Sequence, residues 1–414
     1  MHIEMKKKKL RNLLRNELRN KICLAISVGS FFAAQTAFAA PSISSVSNAL
    51  RHGQSVTISG NGFGIKNPVA PLKWDPVDGM YAGLSNGNRI PVGASYPWNE
   101  GYAGESPYYK TINPRGKWTA KYSNNPNSNI DAAHEWAAVG GEVFPEANNK
   151  SMYVTWWNWV SANGTLDNSQ NKFTRFTPTG QWEIASIIWS PEHTTGYDFS
   201  QGYRFGAWHE SFINRGAWNR MEKILDNGSL PYHPRIRLSV NNEEFLDCYS
   251  GKVDCMSGGA SEGNLASING IGALGWMPEF DYSPDAATVD FGEIYVDNTL
   301  ARVEICESST KAASSHCEIQ LPQNQWADTA LEISVNQGSF SDGSSAYLYV
   351  VDANGSANAS GYPITFGSSQ GASYDIFDFL QFIAAWLTAN AASDKNSDGI
   401  VNTKDLGILM SGWE

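Results

Sequence analysis

The run SMYVTWWNWV, residues 151–160, holds no glycine or proline and is built mainly from aromatic, β-branched and other large side chains. Such a composition favours extended backbone, where bulky groups pack on a pleated surface. Side chains alternate across a strand, so Tyr153, Thr155, Trp157 and Trp159 fall on one side and Met152, Val154, Trp156 and Val160 on the other. The second set is the more apolar and is expected between sheets. The first mixes rings with a hydroxyl. Rings stack on the CH faces of a sugar while polar groups meet its hydroxyls, which makes Tyr153 and Trp157 candidates for carbohydrate contact. Tryptophan is equally an ordinary core residue of β-sandwiches, and that reading stands beside the first.

The same character recurs in SVTISG (55–60), WEIASIIW (182–189), RIRLSV (235–240), ATVDFGEIYV (287–296) and SAYLYVVD (345–352), each bounded by turn-rich segments. Residues 41–367 are therefore expected to be mainly β. Only beyond 372 do apolar residues recur at three and four, in DIFDFLQFIAAWL and TKDLGILMSGW, after the linker-like GSSQGAS.

Two further segments carry candidate chemistry. AWNRMEKILDNG (217–228) places Trp218, Arg220 and Glu222 on one strand face and Met221 and Leu225 on the other, and Trp218 and Arg220 join the sugar-contact candidates. The Arg220/Glu222 pair either sits exposed, contributing little, or lines a groove that takes hydroxyls and carboxylates. YRFGAWHES supplies Tyr203 and His209, and NKFTRF supplies Lys172 and Arg175. β-Elimination on a uronate needs a cation for the carboxylate and an acid–base pair. Arg175, Tyr203, His209 and Glu222 are the catalytic candidates for that chemistry; as half-exposed residues without a role they are equally unremarkable.

The middle segment, through YVTWWNWV, NKFTRF, GAWNRMEKILDNG and FGEIYVDNT, resembles the concanavalin A-like lectin/glucanase jelly rolls of secreted carbohydrate-active proteins. The resemblance implies a β-sandwich acting on polysaccharide. Within this segment the glucanase strand motif E-x-D-x-x-E does not occur, nor do the R-x-E-L-R and Q-I-H signatures of alginate lyases. PSISSVSNALRHGQSVTISGNGFG (41–64) resembles the opening of an immunoglobulin-like IPT/TIG domain, read from the residues as two strands joined at His52-Gly53 with Val56 and Ile58 inward. LPQNQWADTALEISVNQGSFSDGSSAYLYVVDANG (321–355) resembles that domain's second half. Residues 41–67 and 300–367 are accordingly expected to form one split Ig-like sandwich with a jelly roll, 70–298, inserted. The competing arrangement is an N-terminal cap and a separate Ig-like module.

Residues 1–39 read as a secretory signal peptide: a basic start, the apolar LAISVGSFFAA and the small-x-small Ala37-Phe38-Ala39. Without them, 30 − 8 basic and 41 − 2 acidic residues leave 22 against 39, a net charge near −17. Such a surface disfavours nucleic acid and anionic lipid as partners. Cys248, Cys255, Cys306 and Cys317 then remain. Two local disulfides, Cys248–Cys255 and Cys306–Cys317, suit an exported chain; zinc is the competitor, without CxxC spacing.

The tail carries DKNSDGIVNTKD, residues 394–405. In a twelve-residue Ca²⁺ loop, ligands come from positions 1, 3, 5, 7 and 12, with glycine at 6. These positions hold Asp394, Asn396, Asp398, the Ile400 carbonyl and Asp405, with Gly399 at the turn. The short closing carboxylate and the following helix resemble a dockerin repeat. A 27-residue echo aligns Trp386 with Trp413, but its own loop offers no carboxylate. Residues 368–414 are thus expected to be a dockerin-like module with one Ca²⁺ loop, for attachment to a cohesin-like or cell-surface partner. Together these readings describe a secreted or cell-surface polysaccharide-binding protein. The alternatives are a polysaccharide lyase or glycoside hydrolase of unfamiliar type, and a non-catalytic adhesion or scaffold protein.

Overall fold

The computed structural model describes residues 40–77, 81, 83–91, 107–111, 115–116, 119–123, 139–143, 151–163, 171–177, 185–190, 193–199, 203–205, 213–226, 235–249, 273–276, 288–367, 376–390, 393–395 and 399–411. The chain is mainly β and antiparallel. It opens with β1 (Ser42–Val46) and β2 (Ser55–Asn61). Next come β3 (Lys73–Asp75), β4 (Tyr108–Lys110), β5 (Lys121–Ser123), β6 (Val139–Val143), β7 (Ser151–Val160), β8 (Asn171–Thr177), β9 (Ala185–Ser190), β10 (His193–Phe199) and β11 (Tyr203–Phe205). Then follow β12 (Trp218–Asp226), β13 (Arg235–Val240), β14 (Glu243–Tyr249), β15 (Ala273–Trp276) and β16 (Val289–Asp297). The last group is β17 (Arg302–Cys306), β18 (Cys317–Ile319), β19 (Leu321–Ala327), β20 (Ala330–Ser334), β21 (Ser345–Val351) and β22 (Tyr362–Thr365), before helices α1 (Ile376–Ala384) and α2 (Thr403–Ser411).

β1 pairs with β2, and β2 finds its other partner about 275 residues further along the chain. β2 pairs with β20, Ser55 opposite Ser334 and Ser59 opposite Ala330, in a sheet of order β1-β2-β20-β19. A second sheet of order β18-β17-β21-β22 faces it. Alternate residues of each strand meet in one apolar core: Val56, Ile58, Leu331 and Ile333 from the first sheet, and Val303, Ile305, Leu348 and Val350 from the second, all buried. Leu50 and Phe63, outside the strands, close its ends, and Trp326 Nε1 donates to the Phe63 carbonyl at 3.1 Å. The segment leaving β2 is pinned by Lys66, whose Nζ lies 2.9 Å from Asp297 at the end of β16, both side chains fully enclosed.

Between these halves of the sandwich runs the jelly-roll body, one sheet of order β11-β10-β9-β8-β15-β6 and one of order β14-β13-β12-β7-β16-β5-β4, to which β3 adds through β16. β7, the run that opens the sequence argument, lies near the centre of the larger sheet and pairs with β12 over its length, from Trp218 opposite Trp159 to Asp226 opposite Ser151. It is buried on both faces save for the half-buried Trp159. β13 and β14 are joined by Asn241-Asn242, both at positive φ (51° and 65°), the conformation of a tight hairpin turn that asparagine tolerates better than other side chains. On the other side of β7 the β16 ladder slips between Gly292 and Tyr295, and Glu293 takes φ 52° in the resulting bulge. A bulge re-aims a side chain, and Glu293 is sent toward Arg115.

A disulfide joins Cys306 to Cys317 across the β17–β18 pair. Cys248 lies on β14, while Cys255 is outside the described residues. In the tail, Phe382, Ala385, Val401 and Leu409 form a separate small core with Phe379, Trp386 and Leu406. No described helix is long and apolar enough to cross a membrane.

Candidate functional site

The β7–β12 register sets Tyr153, Thr155, Trp157 and Trp159 beside Trp218, Arg220, Glu222 and Ile224 on one sheet face. That face does not open to solvent over its length. β17 brings Arg302 and Glu304 over its middle, and five ionised groups gather there. Arg220 donates to Glu304 and to the Tyr153 hydroxyl (2.9 Å), Tyr153 donates to Glu222 (2.6 Å), Arg302 donates to Glu304 (3.1 Å), and Lys311 pairs with the other Glu304 oxygen. Tyr153 is 0 % and Arg220 1 % exposed, so neither is placed to touch a surface-bound sugar; both are committed to this network. Alternation in sequence says which residues share a face, and it says nothing of what covers that face. Burial pushes the Tyr153 hydroxyl well up, holding it neutral. Burial also opposes the charge on Glu304, but Arg302, Lys311 and Arg220 overcome it and hold the carboxyl well below its usual range.

Toward the other end of the same face lies a cavity of about 360 Å³, within the roughly 300–1,000 Å³ usual for small-ligand pockets. Trp157 floors it and the half-buried Trp218 stands at its side. Arg115 caps the Trp157 ring, its guanidinium carbon 3.9 Å from the centroid, and His316 meets that ring edge-on at 5.6 Å. Asn214, Asn241, Ser315 and Ser339 supply the polar rim. Buried Asn219 fixes two of these: its amide oxygen accepts from the Asn214 backbone N–H (2.9 Å) and from Asn241 Nδ2 (3.2 Å). Trp159 and Trp218 continue the aromatic strip, with Lys121 Nζ about 6 Å from each ring and paired to Asp290.

Arg115 gives the cavity its rigidity. It binds Glu293 through Nε (2.6 Å) and Nη2, and Glu318 through Nη1 and Nη2 (2.8 Å), so both carboxylates are held two-fold. The two respond differently to burial. Glu318 also receives His316 and Ser339 and is held far below the usual carboxylate range; Glu293, with Arg115 alone, is pushed up by burial. Gly338, at φ 55°, is required here, because a Cβ would stand 2.1 Å from the Glu318 carboxyl carbon.

Ser339, His316 and Glu318 present the residue types of a nucleophile, a base and an orienting acid. Their geometry does not support that chemistry. Ser339 Oγ (3.1 Å) and Glu318 Oε1 (2.7 Å) both meet Nε2 of His316, whereas a relay needs the acid on the opposite ring nitrogen. The other catalytic candidates are dispersed. Arg175 is on β8 and Tyr203 on β11, three strand positions apart in the six-stranded sheet, roughly 14 Å at about 4.8 Å per strand. Arg175, Ser186, Asp198 and Arg204 form one register row across that sheet, and Tyr203 lies one residue off it, opposite Phe199. Glu222 belongs to the other sheet, and His209 lies outside the described residues.

Sequence reading found Trp157 and Trp218, which do converge, but missed Arg115, His316 and Ser339. Arg115 stands among turn residues, and His316 and Ser339 come from the sandwich rather than the jelly roll. In the tail, Asp394 Oδ2 accepts the Gly399 N–H (2.8 Å), Gly399 sits at φ 90°, and the buried Asp405 accepts the Asn402 N–H (2.9 Å). Asn396 and Asp398 are outside the described residues, and among those described no three His, Cys, Asp or Glu side chains gather as a metal cluster.

No family model and no curated protein matches the chain. Among solved structures, it is similar to a cellulose-induced protein, Cip1, at 14% identity over 55% of this chain and 97% of that one, with a TM-score of 0.34. A sialidase matches at 11% identity over 59% of this chain and 21% of its own, TM-score 0.33. Alginate lyase vAL-1 from Chlorella virus matches at 9% over 48% and 87%, TM-score 0.28. Likenesses this slight carry no inference about the chemistry of this chain.

Proposed function

We propose that the chain is a secreted polysaccharide-binding protein whose binding site is the Trp157/Trp218 cleft. The observation that carries this reading is one cavity in which a half-buried indole stands beside asparagine amides, serine hydroxyls and an imidazole. A stacked ring takes the CH face of a sugar at about 1 kcal/mol, and the rim groups meet its hydroxyls. Arg115 is already engaged by two carboxylates, so the cleft suits hydroxyl-rich rather than charged rings. The shared Nε2 of His316 and the dispersal of Arg175, Tyr203 and Glu222 favour binding without cleavage. The tail, in the same proposal, binds one Ca²⁺ through Asp394, Asn396, Asp398, the Ile400 carbonyl and Asp405. The positive φ of Gly399 and the inward Asp405 support that assignment. Bound there, the ion would brace α1 against α2, and the module would attach the protein to a cohesin-like or cell-surface partner.

The test is a pull-down and calorimetry of the exported chain over neutral and uronic polysaccharides, with reducing ends and absorbance at 235 nm followed on the same samples. Trp218→Ala is expected to weaken binding about tenfold while leaving thermal unfolding unchanged. Undiminished binding by that variant would move the site elsewhere. Product formation on any glycan would replace the binding reading with an enzymatic one.

A further inference from the structure

A second cavity of about 310 Å³ opens on the same face of the large sheet, beyond the buried network. Glu222, Arg302 and Lys311 line its inner wall, and Arg237 and Glu244 its outer one. The Asn241-Asn242 turn divides the cavities: Asn241 faces the aromatic cleft, while Asn242 faces the second cavity and donates to the Ser314 carbonyl at 2.8 Å. The disulfide-closed segment between Cys306 and Cys317 walls both, giving Ser315 and His316 to one and Lys311 to the other.

Charge and donors in this second cavity are out of balance. Arg237 and Glu244 satisfy each other, through Nε at 2.7 Å, and Asp247 lies opposite Arg237 on the next strand. The inner cluster holds three cations, Arg220, Arg302 and Lys311, against two carboxylates, Glu222 and Glu304, a net of +1. Tyr153 among them stays neutral. Donors exceed acceptors too. Arg302 spends Nε on Glu304 and Nη1 on the Leu300 carbonyl, while its Nη2 is 3.9 Å from Glu222, beyond hydrogen-bond reach. Lys311, 22 % exposed at its side chain, has an ammonium with three donors and lies against one Glu304 oxygen.

We infer that this cavity is a monoanion site that takes the carboxylate of an acidic sugar residue, next to the aromatic cleft. The inference rests on the cleft being the glycan site. A carboxylate between Arg302 Nη2 and Lys311 would bring the inner cluster to neutrality and use the remaining donors. Trp218 and Glu222 are four residues apart on β12, roughly 13 Å at about 3.3 Å per residue, so a short oligosaccharide can reach both. The acidic body as a whole selects against long polyanions, but at physiological salt charges beyond about 8 Å are largely screened, and the local cluster decides.

The experiment compares a trisaccharide of two neutral sugars and one terminal uronic acid with the same trisaccharide carrying that carboxylate reduced to an alcohol, by calorimetry on the full exported chain. The wild type is expected to prefer the acidic form about tenfold, the worth of one charge-assisted hydrogen bond. Lys311→Gln is expected to remove that preference without weakening the reduced form, whereas Trp218→Ala weakens both forms alike. Equal wild-type affinity for the two forms, or a Lys311→Gln variant that keeps its preference or loses both forms equally, overturns the anion site and leaves the cleft standing. Should neither trisaccharide bind, the glycan reading fails, and acetate serves as the probe. Acetate that raises the thermal midpoint of the wild type but not of Lys311→Gln supports the anion site alone; no difference overturns it.

Discussion

The core of the sandwich and the seam between sandwich and jelly roll are equally dry and chemically opposite. In the core, Val56, Ile58, Leu331 and Ile333 interleave with Val303, Ile305, Leu348 and Val350. In the seam, Arg115 clamps Glu293 and Glu318, and Arg220 and Arg302 share Glu304. Apolar packing tolerates small shifts as long as volume is filled. A buried guanidinium held two-fold by carboxylates does not, because any other arrangement leaves a charge alone in a poorly solvating interior. The core thus brings together two stretches that flank the jelly roll in sequence, and the seam fixes where the jelly roll sits on them. The two cavities lie along that seam, so ligand-facing groups from both bodies inherit its rigidity.

Breaking the seam should therefore cost more than loosening the core. Arg220→Met leaves Glu222 and Glu304 short of a partner in a buried site and is expected to destabilise by about 3–5 kcal/mol in urea unfolding. Ile333→Val, one methylene from the core, is expected to cost about 1 kcal/mol. If the two variants unfolded at the same urea concentration, the directional role given to the seam would be wrong. Replacing Glu222 and Glu304 by glutamine alongside Arg220→Met should return part of the loss.

The next effect is one of pH. Burial raises Asp297 to about 6 in spite of Lys66. Its contribution is present below the unfolded value of about 3.8 and is lost as pH rises through 6, up to about 3 kcal/mol by linkage. Glu318, Glu304 and Glu222 are held below the usual range, so theirs is present above the unfolded value near 4.5 and is lost on acidification. Stability is expected to rise slightly from pH 7 to about 5 and then to fall. Asp297→Asn should abolish the rise and keep the fall, read as urea midpoints across that range.

A smaller effect separates the disulfide from the seam beside it. Converting Cys306 and Cys317 together to serine is expected to cost about 2–3 kcal/mol by freeing the short segment they close. It should also weaken glycan binding, since that segment carries His316. A loss of stability with unchanged binding would show that the segment's other contacts, Asn242 with Ser314, Lys311 with Glu304 and His316 with Glu318, hold it in place.

The strands were legible because their side chains alternate. Trp157 and Trp218 were legible as a shared aromatic face. Arg115, His316 and Ser339 were not: each lies outside the long strands, and their meeting depends on which sheet covers which, something a local pattern does not encode. Tyr153 and Arg220 were misread for the same reason. A ring beside an arginine looks identical in sequence whether a glycan or a second sheet lies above it.

The tail offers the weakest test, and one that touches neither core nor seam. Among the described residues nothing lies within 4 Å of where a Cβ on Gly399, at φ 90°, would stand, so Gly399→Ala is expected to cost its backbone conformation, about 1 kcal/mol. That cost falls on the small core of Phe382, Ala385, Val401 and Leu409. Hydrogen exchange in millimolar Ca²⁺ should show faster exchange across α1 and α2 in this variant, with the amides of β7 and β20 unchanged. Faster exchange in the β strands as well would mean that the tail and the body unfold as one unit. If added Ca²⁺ did not slow exchange in the wild-type helices at all, the loop would not be the ion site, whatever the cost of the turn.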